Sequence, residues 1–290
     1  MFISGFTIVK NAVKNDYPVI ESIESVLPVV DEMIVLIGDC EDDTVNLVKS
    51  IKSSKVIIHH SVWDASIRDG GSILAMETNK ALKLINPNAT WALYIQADEL
   101  LHERDHDNIT AACHKFADEK AVDGFLFNYL HFYGNYNYLG NSRAWYKHEV
   151  RIIRPGTNIF SYRDAQGFRR GSKKIKVKAI DAFVYHYGWV KTPQQMLQKT
   201  KDVARYWDKN STAHQEILDE SDFFNYDDFE SLKLFEGSHP LAMKQRITKH
   251  HLGKTFDINK KNLSAKEAFL LWIEKIIGRR PFTFTNYKRI

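Results

Sequence analysis

Trp91-Ala-Leu-Tyr-Ile-Gln-Ala-Asp-Glu99 is a short apolar, aromatic and β-branched run that stops in two adjacent acids. The run reads as a strand buried on both faces. A buried strand does not ordinarily finish this way, because ionised carboxylates at a strand mouth need a cation or hydrogen-bond donors. A divalent metal bridging to phosphate oxygens meets that need and typically takes one or two carboxylates. The plainer alternative is that Asp98 caps a helix and Glu99 is solvated.

Outward from this strand, the first hundred residues alternate strand and helix. Phe2 to Val9 is a β-branched apolar run, and Val19, Ile20, Ile23 and Val26 recur at helical spacing. Met33 to Ile37 is a second strand and precedes the polar turn Gly38-Asp39-Cys40-Glu41-Asp42-Asp43-Thr44. A helix through Val45, Leu47, Val48 and Ile51 leads to a strand at Lys55 to His59. A further helix from Ile73 to Ile85 leads to Trp91. This β-α-β-α-β-α-β order predicts a parallel, doubly wound sheet with ligands at the carboxyl ends of its strands. Three acidic groups fall there: Asp39 to Asp43, Asp64 with Asp69, and Asp98 with Glu99.

Thr7-Ile-Val-Lys-Asn11, the turn Val35 to Thr44, Thr78-Asn79-Lys80-Ala81-Leu82 and Trp91 to Glu99 resemble, in order and spacing, the nucleotide-sugar domain of family 2 glycosyltransferases with the GT-A fold. The resemblance covers about the first hundred residues. It implies an α/β fold, a mixed sheet flanked by helices with a helical carboxyl-terminal extension, divided as 1–190 for the catalytic domain and 191–290 for the extension. It also implies transfer of a sugar, with inversion, from a nucleoside-diphosphate sugar to a carbohydrate or lipid-linked acceptor. Carried over residue by residue, the donor site comprises Val9, Asn11, Asp39, Asp42, Asn79, Gln96, Ala97 and Asp98. Asp98 would bind the metal, Mn²⁺ or Mg²⁺. The chain departs from the family pattern at Ala12, Ile37, Thr78 and Gln96, where Glu, Asp, Arg and Asp are usual.

The second half contributes other candidates. His186, in Phe183-Val-Tyr-His-Tyr-Gly-Trp-Val190, is similar in placement to the histidine that completes many GT-A metal sites, and imidazole suits Mn²⁺. A stacked core histidine is the alternative. Inverting transfer needs a general base for the acceptor hydroxyl. Asp164, in Ser161-Tyr-Arg-Asp-Ala-Gln-Gly167, is preferred for its Gly-containing loop; Glu149 adjoins a strand, where Arg151 or Arg154 offers an ion pair. Arg163, Arg169, Arg170 and Lys173 suit a diphosphate or an anionic acceptor. Between His131 and Tyr146 lie seven aromatic or imidazole side chains, read either as a sugar or base platform or as a hydrophobic cluster under a loop. Beyond Thr192 the pattern turns helical, with Pro193 in a first turn, a capping box at Ser264-Ala-Lys-Glu267 and a stop at Gly278.

Composition narrows the function classes. The 290 residues are 44% hydrophobic and 26% charged, which suits a globular chain. Two cysteines exclude a disulfide framework and suit a reducing, cytoplasmic setting. The apolar start lacks a basic region ahead of it and reads as a strand rather than a signal. Net charge is −6 over residues 1–100 and +9 over 241–290, so the basic tail suits an anionic membrane surface as a peripheral contact, or a solvated face. No nucleic-acid module accompanies it. Val9-Lys-Asn-Ala12 replaces the Gly-rich turn that a dinucleotide site would need. A catalytically silent module of the same fold is the main rival.

Overall fold

A computed structural model of the protein describes residues 1–207, 223–250 and 252–290. Its first half follows the expected alternation: β1 (Ile3–Val9), α1 (Val19–Val26), β2 (Glu32–Ile37), α2 (Thr44–Lys49), β3 (Val56–His60), α3 (Ser72–Leu82) and β4 (Trp91–Tyr94). These four strands are parallel in the order β3-β2-β1-β4. Alternation along β2 sends Met33, Val35 and Ile37 into one core with Val19, Ile23, Val26 and Val48, and Ile34 and Leu36 into another with Ile73 and Ala81. Burial on both faces explains why β2 is apolar from Met33 to Ile37 instead of alternating with polar residues.

The sheet then becomes mixed. β8 (His148–Ile153) lies antiparallel to β4 and to β6 (Gly124–Tyr133), and β6 runs parallel to β11 (Lys173–Trp189). Beyond β11 come β10 (Gly167–Arg170) and β9 (Ile159–Tyr162), both joined by antiparallel pairings. β5 (Glu99–Leu101) and α4 (His106–Lys115) precede β6, and β7 (Tyr138–Gly140) pairs with it. The architecture expected of a GT-A-type domain, a mixed sheet flanked by helices, is present.

Helices form only part of the chain beyond residue 190. α5 (Pro193–Ala204), α6 (Lys244–Lys249) and α7 (Ala265–Ile277) are joined by β12 (Leu232–Leu234) on β7 and β13 (Tyr287–Arg289) on β11. α7 has the expected reciprocal cap between Ser264 and Glu267 and the left-handed Gly278 at its end. β13 went unread because three polar residues carry no periodicity.

The aromatic segment divides. Phe132, Tyr133, Tyr136 and Tyr138 are buried in two satellite cores, Phe132 stacked on Tyr187 at 4.7 Å, so these rings are packing rather than a platform. Of this segment, His131, Trp145 and Tyr146 border a cleft. Nor does Glu149 pair with either arginine: Arg151 turns to Glu99, and Arg154 donates to the carbonyls of Phe116, Ala117, Glu119 and Val122.

Candidate active site

Two strand pairings bring the chemistry together. Asp98 sits in the turn into β5 and Glu99 opens that strand, which lies antiparallel on β11 with Glu99 opposite His186. The Tyr187 N–H donates to the Asp98 carbonyl at 2.8 Å, clamping the turn against β11. Asp98 therefore faces His186, Oδ2 to Nε2 at 3.7 Å. Gly188 makes the approach feasible, since a Cβ there would lie 2.6 Å from both atoms.

The adjacent acids have separate tasks. Glu99 is fully buried and receives Nε and Nη2 of Arg151 at 2.9 and 2.7 Å and the Tyr129 hydroxyl at 2.9 Å. That bidentate pair satisfies the desolvated carboxylate. Arg151 also donates Nη1 to the Gln166 carbonyl at 2.9 Å, so Glu99 holds the Asp164 loop in place. Asp98 instead opens on a cleft of about 710 Å³ at the carboxyl ends of β1 and β4, within the usual range for small-molecule sites. It caps no helix.

Lys199 is the residue that sequence reasoning missed. α5 begins with Pro193 and a capping box between Thr192 and Gln195, and turns Met196, Lys199, Thr200 and Val203 toward the cleft. The Lys199 ammonium donates to Asp98 Oδ2 at 3.0 Å and to the Gly188 carbonyl at 2.8 Å, and lies 5.1 Å from the Tyr17 ring. Burial would raise the Asp98 pKa, but Lys199 and then His186 outweigh it and hold the carboxyl well below its usual range.

The histidines form a short chain. His131 Nε2 lies 2.8 Å from the Tyr146 carbonyl, so that nitrogen carries the proton, and His131 Nδ1 accepts from His186 Nδ1 at 3.0 Å. Burial, reinforced by His186, lowers the His131 pKa to about 3 and keeps the ring neutral. His186 Nε2 is thereby turned to Asp98.

Asp98 and His186, the two ligands that the sequence predicts for a divalent ion, thus lie side by side. Among the described residues no group of three or more His, Cys, Asp or Glu side chains could hold a metal. Gln96 supplies no charge, Glu99 is committed to Arg151, and the Lys199 ammonium already occupies Asp98 Oδ2. A dication about 4 Å from that ammonium would be repelled by roughly 8 kcal/mol at an effective dielectric constant of 20. The residues present do not fit a protein-held divalent metal.

Of the other predicted residues, Val9, Gln96 and Ala97 border the same cleft. Four do not. Asn11, at a left-handed φ of 54°, accepts from the Glu41 N–H at 2.8 Å; Asp42 accepts from the Thr44 N–H at 3.1 Å and the Lys14 N–H at 2.7 Å. Asp39 binds Lys10 and the Trp63 N–H, and Asn79 bonds the Ser161 peptide at both ends of its amide. These side chains hold the loops that frame the cleft.

Asp164 borders both this cleft and a larger adjoining one of about 1570 Å³, which carries Glu149, Arg163 and α7. Its neighbours Arg163 and Ala165 have φ of 54° and 61°, a left-handed setting uncommon outside glycine, and the loop is tied down by Arg151. Burial raises the Asp164 pKa. Glu149 is buried, its Oε2 has no hydrogen-bond partner, and burial, opposed by Arg151, pushes its pKa up to about 8. It is protonated at neutral pH and unsuited to accept a proton there. Of the basic group, Arg170 pairs with Asp123, Arg169 donates to Asn286 at 3.1 Å, and Lys173 opens β11 away from the cleft; only Arg163 faces solvent in the larger cleft.

No family model matches the chain, and no curated protein matches it. Among solved structures, TarS of S. aureus is 17% identical with a TM-score of 0.42, over 75% of this chain and 42% of TarS, so the chain spans less than half of that protein. A structure of TarS 1–349 in complex with UDP-GlcNAc is 18% identical with a TM-score of 0.42, over 75% of this chain and 70% of that one. Rv0371c of Mycobacterium tuberculosis H37Rv, in complex with manganese, is 12% identical with a TM-score of 0.37, over 62% of this chain and 89% of that one.

Proposed function

We propose that the protein is a glycosyltransferase. The cleft at the ends of β1 and β4 takes a nucleoside-diphosphate sugar, and the adjoining larger cleft takes a carbohydrate or lipid-linked acceptor. The observation that carries this reading is the position of Asp164 on the wall common to both clefts, beside which donor and acceptor would meet. In the reaction Asp164 takes the proton from an acceptor hydroxyl while the oxygen attacks the anomeric carbon; the bond from that carbon to the diphosphate oxygen breaks, and the nucleoside diphosphate leaves. Attack opposite the leaving group inverts the anomeric centre. Glu99, through Arg151 and the Gln166 carbonyl, positions the Asp164 loop. For the Mn²⁺ or Mg²⁺ that the family resemblance implies, Asp98 and His186 are the ligands on offer, with Lys199 competing for the same oxygen.

The division at residue 190 is kept as a working boundary between a donor-binding part and an acceptor-side extension. No helix among the described residues is long and apolar enough to cross a membrane. α7, however, exposes Phe269, Trp272 and Ile276 beside Lys275 and Arg279, with Phe282 90% exposed just beyond. An apolar face rimmed by cations suits peripheral contact with the anionic cytoplasmic face of a membrane, and this helix borders the acceptor cleft.

The test is release of nucleoside diphosphate from UDP-, GDP-, CDP- and dTDP-sugars in the presence of candidate acceptors. Turnover of one donor, lost in Asp164→Asn with donor binding kept, is the expected result. Binding without turnover against every acceptor would favour the silent module, for which the departures at Ala12, Ile37, Thr78 and Gln96 speak.

A further inference from the structure

The donor cleft holds a cation of its own. Lys199 Nζ sits 3.0 Å from Asp98 Oδ2, on the acid that the Trp91–Glu99 run delivers to the strand mouth. An ammonium has three N–H donors. Two of these reach Asp98 and the Gly188 carbonyl, and the Lys199 side chain remains 14% exposed on the cleft wall. The third donor is available to a ligand.

We propose that Lys199 takes the place of the divalent cation: its ammonium, oriented by Asp98, binds the diphosphate of the donor and stabilises the charge that develops on it as it leaves. The inference rests on the donor-site reading above and deepens it. The charge balance of the site agrees. With Gln96 neutral and Glu99 neutralised by Arg151, the mouth of β4 presents one carboxylate, Asp98, already compensated by Lys199. A diphosphate entering there meets no surplus negative charge that a metal would have to bridge. Asp98 is then a positioning residue, holding the flexible lysine stem in one place, and Tyr17 supports the same stem from the side. Stabilising a departing diphosphate with a fixed cation is electrostatic catalysis of the ordinary kind.

Calorimetric titration of UDP, GDP, CDP, dTDP and inorganic pyrophosphate into the full chain, in EDTA and in Mn²⁺, tests this. One nucleoside diphosphate is expected to bind in EDTA, with Mn²⁺ changing its Kd less than twofold. Lys199→Met should weaken it at least tenfold, and Lys199→Arg should restore it to within a few-fold, which separates lost charge from misfolding. Binding only with Mn²⁺, or binding in EDTA that Lys199→Met leaves unchanged, would overturn the role of Lys199 and leave the donor site standing. No binding by any probe in either buffer would overturn the donor-site reading and this inference with it.

Discussion

Replacing Glu149 with Gln should make the protein more stable at pH 7.5 and remove most of one proton from its pH dependence. In the folded chain this carboxyl is buried, has an unpartnered Oε2 and titrates near 8; unfolded, its ordinary value is 4.5. Between those values the folded state holds a proton that the unfolded state releases, so stability falls as pH rises. The slope is about 1.4 kcal/mol per pH unit, or roughly 2.7 kcal/mol between pH 5.5 and 7.5. Gln has no such titration, and subtraction of the two proteins cancels every group they share. Urea unfolding of wild type and Glu149→Gln at half-unit pH steps measures the difference directly. The variant should gain on wild type by that amount across the interval. Parallel stability curves would refute the claim that Glu149 is protonated in the fold, and would reopen it as the proton acceptor in place of Asp164.

Three further expectations follow from the same geometry. Asp164→Asn should lower kcat by about 10² to 10⁴ while changing donor Kd less than threefold, and the wild-type kcat/KM should decline as pH falls through an Asp164 pKa lying above the ordinary 3.8, a limb absent in the variant. Asp98→Asn should weaken diphosphate binding in EDTA by only a few-fold, because the amide oxygen still accepts from the Lys199 ammonium and the cation is kept; a loss confined to binding in Mn²⁺ would instead point to Asp98 as a metal ligand. Trp272→Glu should reduce co-sedimentation with vesicles containing anionic lipid by several-fold at about 0.1 M salt, and equal partitioning of the two proteins would exclude α7 as the membrane contact.

The parallel half of the sheet was legible because each of its elements carries its own local signature. Burial on both faces makes β4 and Met33–Ile37 of β2 continuously apolar and leaves only the small polar Ser4 and Thr7 in β1, and the helices between them recur at their own period. The start of α5 at Pro193 and the cap of α7 were readable for a similar reason: a proline in a first turn, or a hydroxyl and an acid three residues apart, suits a helix end without help from elsewhere. Aromatic density was ambiguous. The same rings suit a ligand platform or a core, and only the cover provided by β12, α6 and their flanking loops decided that Phe132, Tyr133, Tyr136 and Tyr138 are packing.

What the sequence by itself determined is therefore the order of elements, the strand that ends in Asp98 and Glu99, and the chemical types available at its mouth. What only the tertiary structure decided is which groups those acids meet. Arg151, 52 residues away, neutralises Glu99; His186 arrives through the register of β11 on β5; and Lys199, 101 residues from Asp98, is brought there by α5. Local propensity acts over one or two turns of chain, whereas pairing between distant charges depends on strand register and helix docking, for which a single sequence holds no periodic trace.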